Sequence, residues 1–270
     1  MKRMVGILSG TLTDKHGERM SREALESSAQ QINANYLRLG WQHDPRVPPV
    51  GRWVRAWVEP SSDGEYVLKG EAEVFEPEDQ VPDFVSSPRR LKTRDFPAER
   101  FQLVFSRSYL LRDDQQLIAG ISEALGTPAR FENQKAVEPL SLIALGVTFA
   151  IGAVAGGFFK ALGADAYQKV KEGIKRLLKS SNTSGVERLL SVEVRVVQGN
   201  RSLNLHIVLT NPIEDEVDSF LSNGHSFVSS EAHRYFASPT PIAEVCFAYR
   251  NGHLLALYAL REDGFPLRPL

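Results

Sequence analysis

The stretch from Pro139 to Phe159, PLSLIALGVTFAIGAVAGGFF, carries no charged side chain in a chain where 24% of residues are charged. A helix rises about 1.5 Å per residue, so one of this length can cross a ~30 Å hydrocarbon core. Gly152 and Gly156, with Ala153 and Ala155 between them, form a small-residue face that lets two backbones approach closely. Such a face suits a bilayer helix and a buried soluble helix alike. Gly146, Gly152, Gly156 and Gly157 each disfavour an isolated helix in water by about 1 kcal/mol relative to Ala, so packing or lipid has to hold it. Two readings stay open: a membrane-inserting helix, and a central core helix.

The next segment predicts a basic amphipathic helix. Leu162, Ala166, Tyr167, Val170, Ile174, Leu177 and Leu178 share one face of a helix over 160–179. Lys160, Lys169, Lys171, Lys175, Arg176 and Lys179 oppose only Asp165 and Glu172, a bias that places this end beside anionic lipid on the cytoplasmic side. A simple single-pass topology does not fit, because Met1 to Gly10 holds Lys2 and Arg3 and no apolar core of signal-peptide length. The expectation is a cytoplasmic protein, and two readings of the basic helix stay open: docking or re-entrant insertion at the inner face of a membrane, and a solvated face on an ordinary soluble helix.

A length of 270 residues accommodates two domains of ordinary size. The formal net charge of -1 gives no global attraction for nucleic acid, so any basic partner surface is local and no nucleic-acid partner is expected. Cys246 is the one cysteine, so neither an intrachain disulfide nor a cysteine metal cluster can form. No cofactor or metal motif is read.

Met4 to Ser9 reads as a strand, followed by a polar turn and a helix capped by Ser21 that runs to about Asn35. Gly51 to Glu59 and Tyr66 to Phe75 read as strands joined by the hairpin turn Pro60 to Gly64. The segment from Glu76 to Arg100 is rich in proline and changes charge sign along its length, as a long solvated connection or a site-covering loop would. Asp113 to Leu125 has helical spacing ended by Gly126.

The ordered set SGTLTDKHGERMSREALESSAQQI, LGWQHD, PPVGRWVRAWVE and DGEYVLKGEAEVFEP resembles the prohead (capsid maturation) serine proteases of tailed phages, over about residues 5–110. The matching positions are Asp14, Gly17 and Glu18, then His43 and Asp44, then Val50, Gly51 and Arg52. The resemblance implies a histidine base, a serine nucleophile on a later strand and an acid that orients the imidazole. That grouping is needed because a serine hydroxyl becomes nucleophilic only when an imidazole takes its proton. His43 matches the base. Strand alternation sets Glu71 and Glu73 on one face, either of which can be the acid, with Glu73 taken forward. The same alternation from Arg100 to Leu110 offers Ser106 as nucleophile and Ser108 as runner-up, in the context FQLVFSRSYL where the family has Ser-Ile-Gly-Phe.

After the linker Ser180 to Gly185, alternating runs at Leu189 to Val197 and Leu203 to Leu209, a helix from Glu214 to about Leu221, and strands flanking Asn251-Gly252 predict an antiparallel α+β module. His225, Ser226, Ser229, Glu231 and His233 gather in a polar connection without the spacing of a metal or catalytic motif. The expected fold class is therefore α+β. A strand-rich prohead-protease-like domain (1–130) precedes a central uncharged helix with a basic amphipathic helix (131–180), and an antiparallel domain follows (185–270). Two functions stand. One is an intracellular serine endopeptidase, membrane-associated, acting on a protein substrate through His43, Ser106 and Glu73. The other is a non-catalytic membrane-associating or assembly protein, in which the protease-like domain binds a partner or a second copy of the chain.

Overall fold

A computed structural model describes residues 1–13, 19–40, 44–61, 64–76, 82–84, 87–93, 101–106, 109, 114–132, 140–150, 164–180 and 187–267. Its contacts divide the chain into two units. The first comprises Met1–Trp41, Val47–Lys92 and Leu260–Leu267, and the second Gln42–Arg46, Thr93–Ala259 and Arg268–Leu270.

In the first unit, β1 (Lys2–Gly10), β2 (Leu37–Leu39), β3 (Gly51–Pro60) and β4 (Tyr66–Val74) form an antiparallel sheet in the order β1-β4-β3-β2. The helix α1 (Arg22–Ala34) starts where expected, with Ser21 Oγ accepting from the Ala24 N–H at 3.2 Å. Leu25, Ala29 and Ile32 of α1 pack on Ala56 and Leu68 of the sheet, with Leu8, Trp53 and Val58 around them. Burying each large aliphatic side chain of this kind stabilises by about 1.5–3 kcal/mol. Gly70 makes room for the core: a Cβ there would lie 2.8 Å from both the Trp53 ring and Leu8. Between β3 and β4 the Ser61 N–H donates to the Glu65 C=O at 2.7 Å.

The sheet has two irregularities, one at Leu8 of β1 and one in β3 that shapes the face away from α1. The register shifts between Trp53 and Arg55, so Val54 is an extra residue. Such a bulge re-aims the side chains that follow. Arg52 lies opposite Glu73 and Arg55 opposite Glu71, while Arg3 and Val5 of β1 oppose the same two glutamates from the other side. A charged face thus backs a dry one.

The second unit is a mixed sheet. It uses β5 (Gln102–Ser106), β6 (Ala129–Glu132), β7 (Leu140–Ala150), β8 (Glu187–Gln198), β9 (Arg201–Thr210), β10 (Ile242–Arg250) and β11 (His253–Arg261) in the order β11-β10-β9-β8-β7-β5-β6. The end of β11 and the two-residue β12 (Pro266–Leu267) group with the first unit. Parallel neighbours need a crossover, and each parallel pair here has a helix in its connection. Strands β5 and β6 are linked through α2 (Gln115–Leu125), β7 and β8 through α3 (Ala164–Ser180), and β9 and β10 through α4 (Glu214–Phe236). Helix α3 packs against both α2 and α4.

The uncharged stretch is not a helix where it is described: Leu140 to Ala150 is the strand β7, between β5 and β8. Its lack of charge follows from having neighbours on both edges and cover on both faces. Ile143, Ala144, Leu145, Gly146 and Val147 are buried in succession, as in a strand dry on both sides rather than an amphipathic one. Residues 151–159 lie outside the described residues. Among the described residues no helix is long and apolar enough to cross a membrane.

The basic helix is present as α3, with Val170, Ile174, Leu177 and Leu178 buried. Part of its charge is met within the unit. Lys171 pairs with Asp218 at 3.4 Å, and Lys175 with Asp218 and Glu214 of α4 at 3.5 Å each. The C-terminal strands also depart from a purely antiparallel module, because β9 and β10 run parallel. The joining helix α4 continues to Phe236 instead of ending near Leu221. Buried Phe220, Gly224, Val228, Ala232 and Tyr235 override the local helix-breaking of Ser222-Asn223-Gly224, so the polar cluster from His225 to His233 lies on a helix and not in a connection.

Candidate functional site

His43 and Ser108, with Asp14, Gly17 and Glu18 of the matched motifs, lie outside the described residues. The residues just after His43 are firmly held. Arg46 Nε donates to Asp44 Oδ1 at 2.9 Å and its Nη2 to Asp44 Oδ2 at 2.7 Å, while Nη1 and Nη2 reach both Glu187 oxygens at 2.9 and 2.6 Å. Burial would raise the Asp44 carboxyl, but hydrogen bonds from the Arg46 side chain and backbone hold it below its ordinary value. The same bonds to Asp44, then those to Glu187, raise the guanidinium further above its own. The Pro45 carbonyl accepts from Cys246 Sγ at 3.2 Å and from the Tyr258 hydroxyl at 2.8 Å.

The other predicted residues occupy different surroundings. Glu73, in the first unit, receives Arg52 Nε and Nη2 at 2.9 and 2.8 Å on one oxygen and Arg3 Nη2 at 3.2 Å on the other. Glu71 receives Arg3 Nη1 at 2.9 Å. Ser106, in the second unit, closes β5 opposite Glu132 of β6. The matched Gly51 and Arg52 carry a structural load of their own. A Cβ on Gly51 would run into the Glu73 carbonyl of the adjacent strand, and Arg52 clasps the Glu73 side chain.

The structure brings together a group that the sequence reading passed over. Ser191 Oγ lies 2.6 Å from His206 Nε2 across β8 and β9. His206 sits beside Cys246 of β10, and Asn204 beside buried Glu244. The distance is within nucleophile-to-base reach. The surroundings are not those of a substrate site, since Ser191 is 1% exposed and His206 7%. The pair satisfies two polar groups inside a covered sheet. Alternation held the signal: Ser191, Glu193 and Arg195 fall on one face of β8 and Asn204 and His206 on the matching face of β9.

An open concavity with ionic chemistry lies in the first unit. Arg3, Arg52, Arg55, Arg89, Glu71 and Glu73 line a cavity of about 330 Å³ together with Tyr36 and Val54. The Arg52 and Arg89 guanidiniums lie 4.3 and 4.4 Å from the Tyr36 ring centre, within cation–π range. Arg52 also lies 4.9 Å from the Phe265 ring and donates through Nη1 to the Asp263 carbonyl. Among the described residues no three His, Cys, Asp or Glu side chains gather as a metal ion would require. No protein-family model matches the chain, and neither does any curated protein or solved structure.

Proposed function

We propose that the chain is a non-catalytic assembly protein that pairs with a second copy of itself along the outer edge of β1. The observation that carries this reading is the exposure of that strand. Met4 is 46%, Val5 58% and Ile7 67% exposed, and among the described residues β4 is the one sheet neighbour of β1. An edge strand with open N–H and C=O groups and bare apolar side chains is a template for another strand. Large apolar side chains gathered on one element mark an interaction surface, whereas scattered ones do not.

A second copy is the occupant that fits the edge. Antiparallel pairing of two β1 strands about Val5 or Gly6 sets apolar side chains and glycine against each other at the centre. It also places Lys2 and Arg3 against Ile7 to Gly10, so no two cations face. The endopeptidase reading draws less support, because the Glu73 carboxylate is already held by Arg52 and Arg3.

Sedimentation equilibrium of the full chain tests the proposal, with Ile7→Lys as the variant. The wild type is expected to dimerise at micromolar concentration and the variant to remain monomeric with an unchanged circular dichroism spectrum. A monomeric wild type at a few hundred micromolar would overturn the pairing. Covalent labelling by a fluorophosphonate that is lost in Ser106→Ala would instead restore the endopeptidase reading, with His43 as base.

A further inference from the structure

We infer that the arginine-lined cavity of the first unit is a binding site for a phosphate monoester. Four guanidiniums, from Arg3, Arg52, Arg55 and Arg89, face two carboxylates, Glu71 and Glu73, which leaves an excess of two positive charges around one polar concavity. A phosphate monoester carries about -1.5 to -2 charges at neutral pH and presents acceptor oxygens to planar guanidinium forks.

The four arginines are not equally committed. Arg52 is fixed by Glu73, Asp263 and two aromatic rings. Arg89 donates through Nη2 to the carbonyls of Ile32 and Asn35 at 2.9 and 3.1 Å, yet its buried Nε meets no acceptor. A buried donor left unmade costs about 1–3 kcal/mol, a cost that an incoming oxygen would remove. Arg55 makes no ion pair among the described residues, and its guanidinium lies 5.7 Å from the Trp57 ring centre. Arg3 bridges Glu71 and Glu73 but is 66% exposed, so it can turn toward a ligand at small cost. Two rigid arginines thus frame the cavity while Arg55 and Arg3 supply donors.

The volume, about 330 Å³, is at the lower end of small-molecule sites. The lining is ionic rather than apolar, so the ligand body is polar and small, of sugar-phosphate size. A long acyl chain has nothing to rest on.

Isothermal titration of the full chain with glucose 6-phosphate and with inorganic phosphate, at fixed ionic strength, tests this. Glucose is the uncharged control. Saturable binding of the phosphates and none of glucose is expected. Arg55→Gln should weaken binding tenfold or more, as should Arg89→Lys, which keeps the charge but loses the fork. Lys169→Gln, exposed on α3 in the other unit, should change nothing. Arg55 is exposed and makes no ion pair among the described residues, so Arg55→Gln should fold as the wild type does. Absence of saturable binding up to several millimolar, or binding indifferent to Arg55→Gln, would overturn the inference. The effect of Arg55→Gln is read separately from β1 pairing, because Arg55 lies on β3.

Discussion

Arg46 is the side chain on which the segment following His43 depends. Its fork joins Asp44 to Glu187 at the start of β8, and it also reaches Thr210 Oγ1 at 3.2 Å. Arg46→Gln would leave two carboxylates facing each other without a cation. For a half-buried network this should cost about 1–2 kcal/mol at neutral pH, between the values for exposed and buried pairs. The acid dependence follows from the direction of the Asp44 shift. Its folded pKa is depressed, so its contribution is complete above the unfolded value near 4 and is lost as pH falls through the folded one. Urea unfolding at pH 7 and at about pH 3 should therefore give a gap between wild type and variant that narrows in acid. An unchanged gap would mean that the Asp44 pairing contributes nothing to stability. Ser191 and His206 behave differently. Their hydrogen bond is sealed in the sheet, so its chemistry is that of a core.

At the scale of elements, the contact between α2 and α3 turns on one missing methyl. A Cβ on Gly173 would lie 2.6 Å from Ile121 Cγ1 and 2.9 Å from its Cδ1, and Ile121 is buried. Gly173→Ala gains about 1 kcal/mol of helix propensity. Overpacking a filled core costs about 1–3 kcal/mol, so the net effect should be destabilising by about 1 kcal/mol. Gly120→Ala, in α2 with nothing within 4 Å of the added methyl, gains the propensity alone and should stabilise. Equal stabilisation of both variants in urea would refute close packing of the two helices. Local signals of this kind were what the sequence made legible. Ser21 as a cap, Gly126 ending α2, and the turn at Asn251-Gly252 with φ +51° and +81° all depend on residues within a few positions. The strand β7 was not legible, since a run dry on both faces has no period to tell strand from helix. Its β-branched Ile143, Val147 and Thr148 were the available hint. The length of α4 was hidden for a related reason: Gly224 disfavours a helix alone, and only the ring of Phe220, 2.8 Å from where its Cβ would be, explains why glycine stands there. The arginine cavity was hidden as well. It joins β1, β3, β4 and the segment around Arg89, and its facing depends on a one-residue bulge at Val54.

For the whole molecule, a formal net charge of -1 gives little self-repulsion, so association rests on what the surface exposes. If two copies pair along β1, folding and association are linked. A partner that binds only the folded state stabilises by about 2.7 kcal/mol when its concentration is a hundredfold above Kd. The thermal midpoint of the wild type should then rise with protein concentration over about two decades. Ile7→Lys should give a flat line, lowered a little from the wild type's low-concentration value by the like charge of Lys69 opposite it on β4, because Ile7 is two-thirds exposed and a surface change of this kind costs within about 0.5 kcal/mol. Salt separates this effect from the arginine cavity. Sulfate strengthens apolar burial and should steepen the concentration dependence, whereas added ionic strength screens phosphate binding. A midpoint independent of concentration in both proteins would exclude β1 pairing. A slope that persists in Ile7→Lys would move the interface to another surface of the chain.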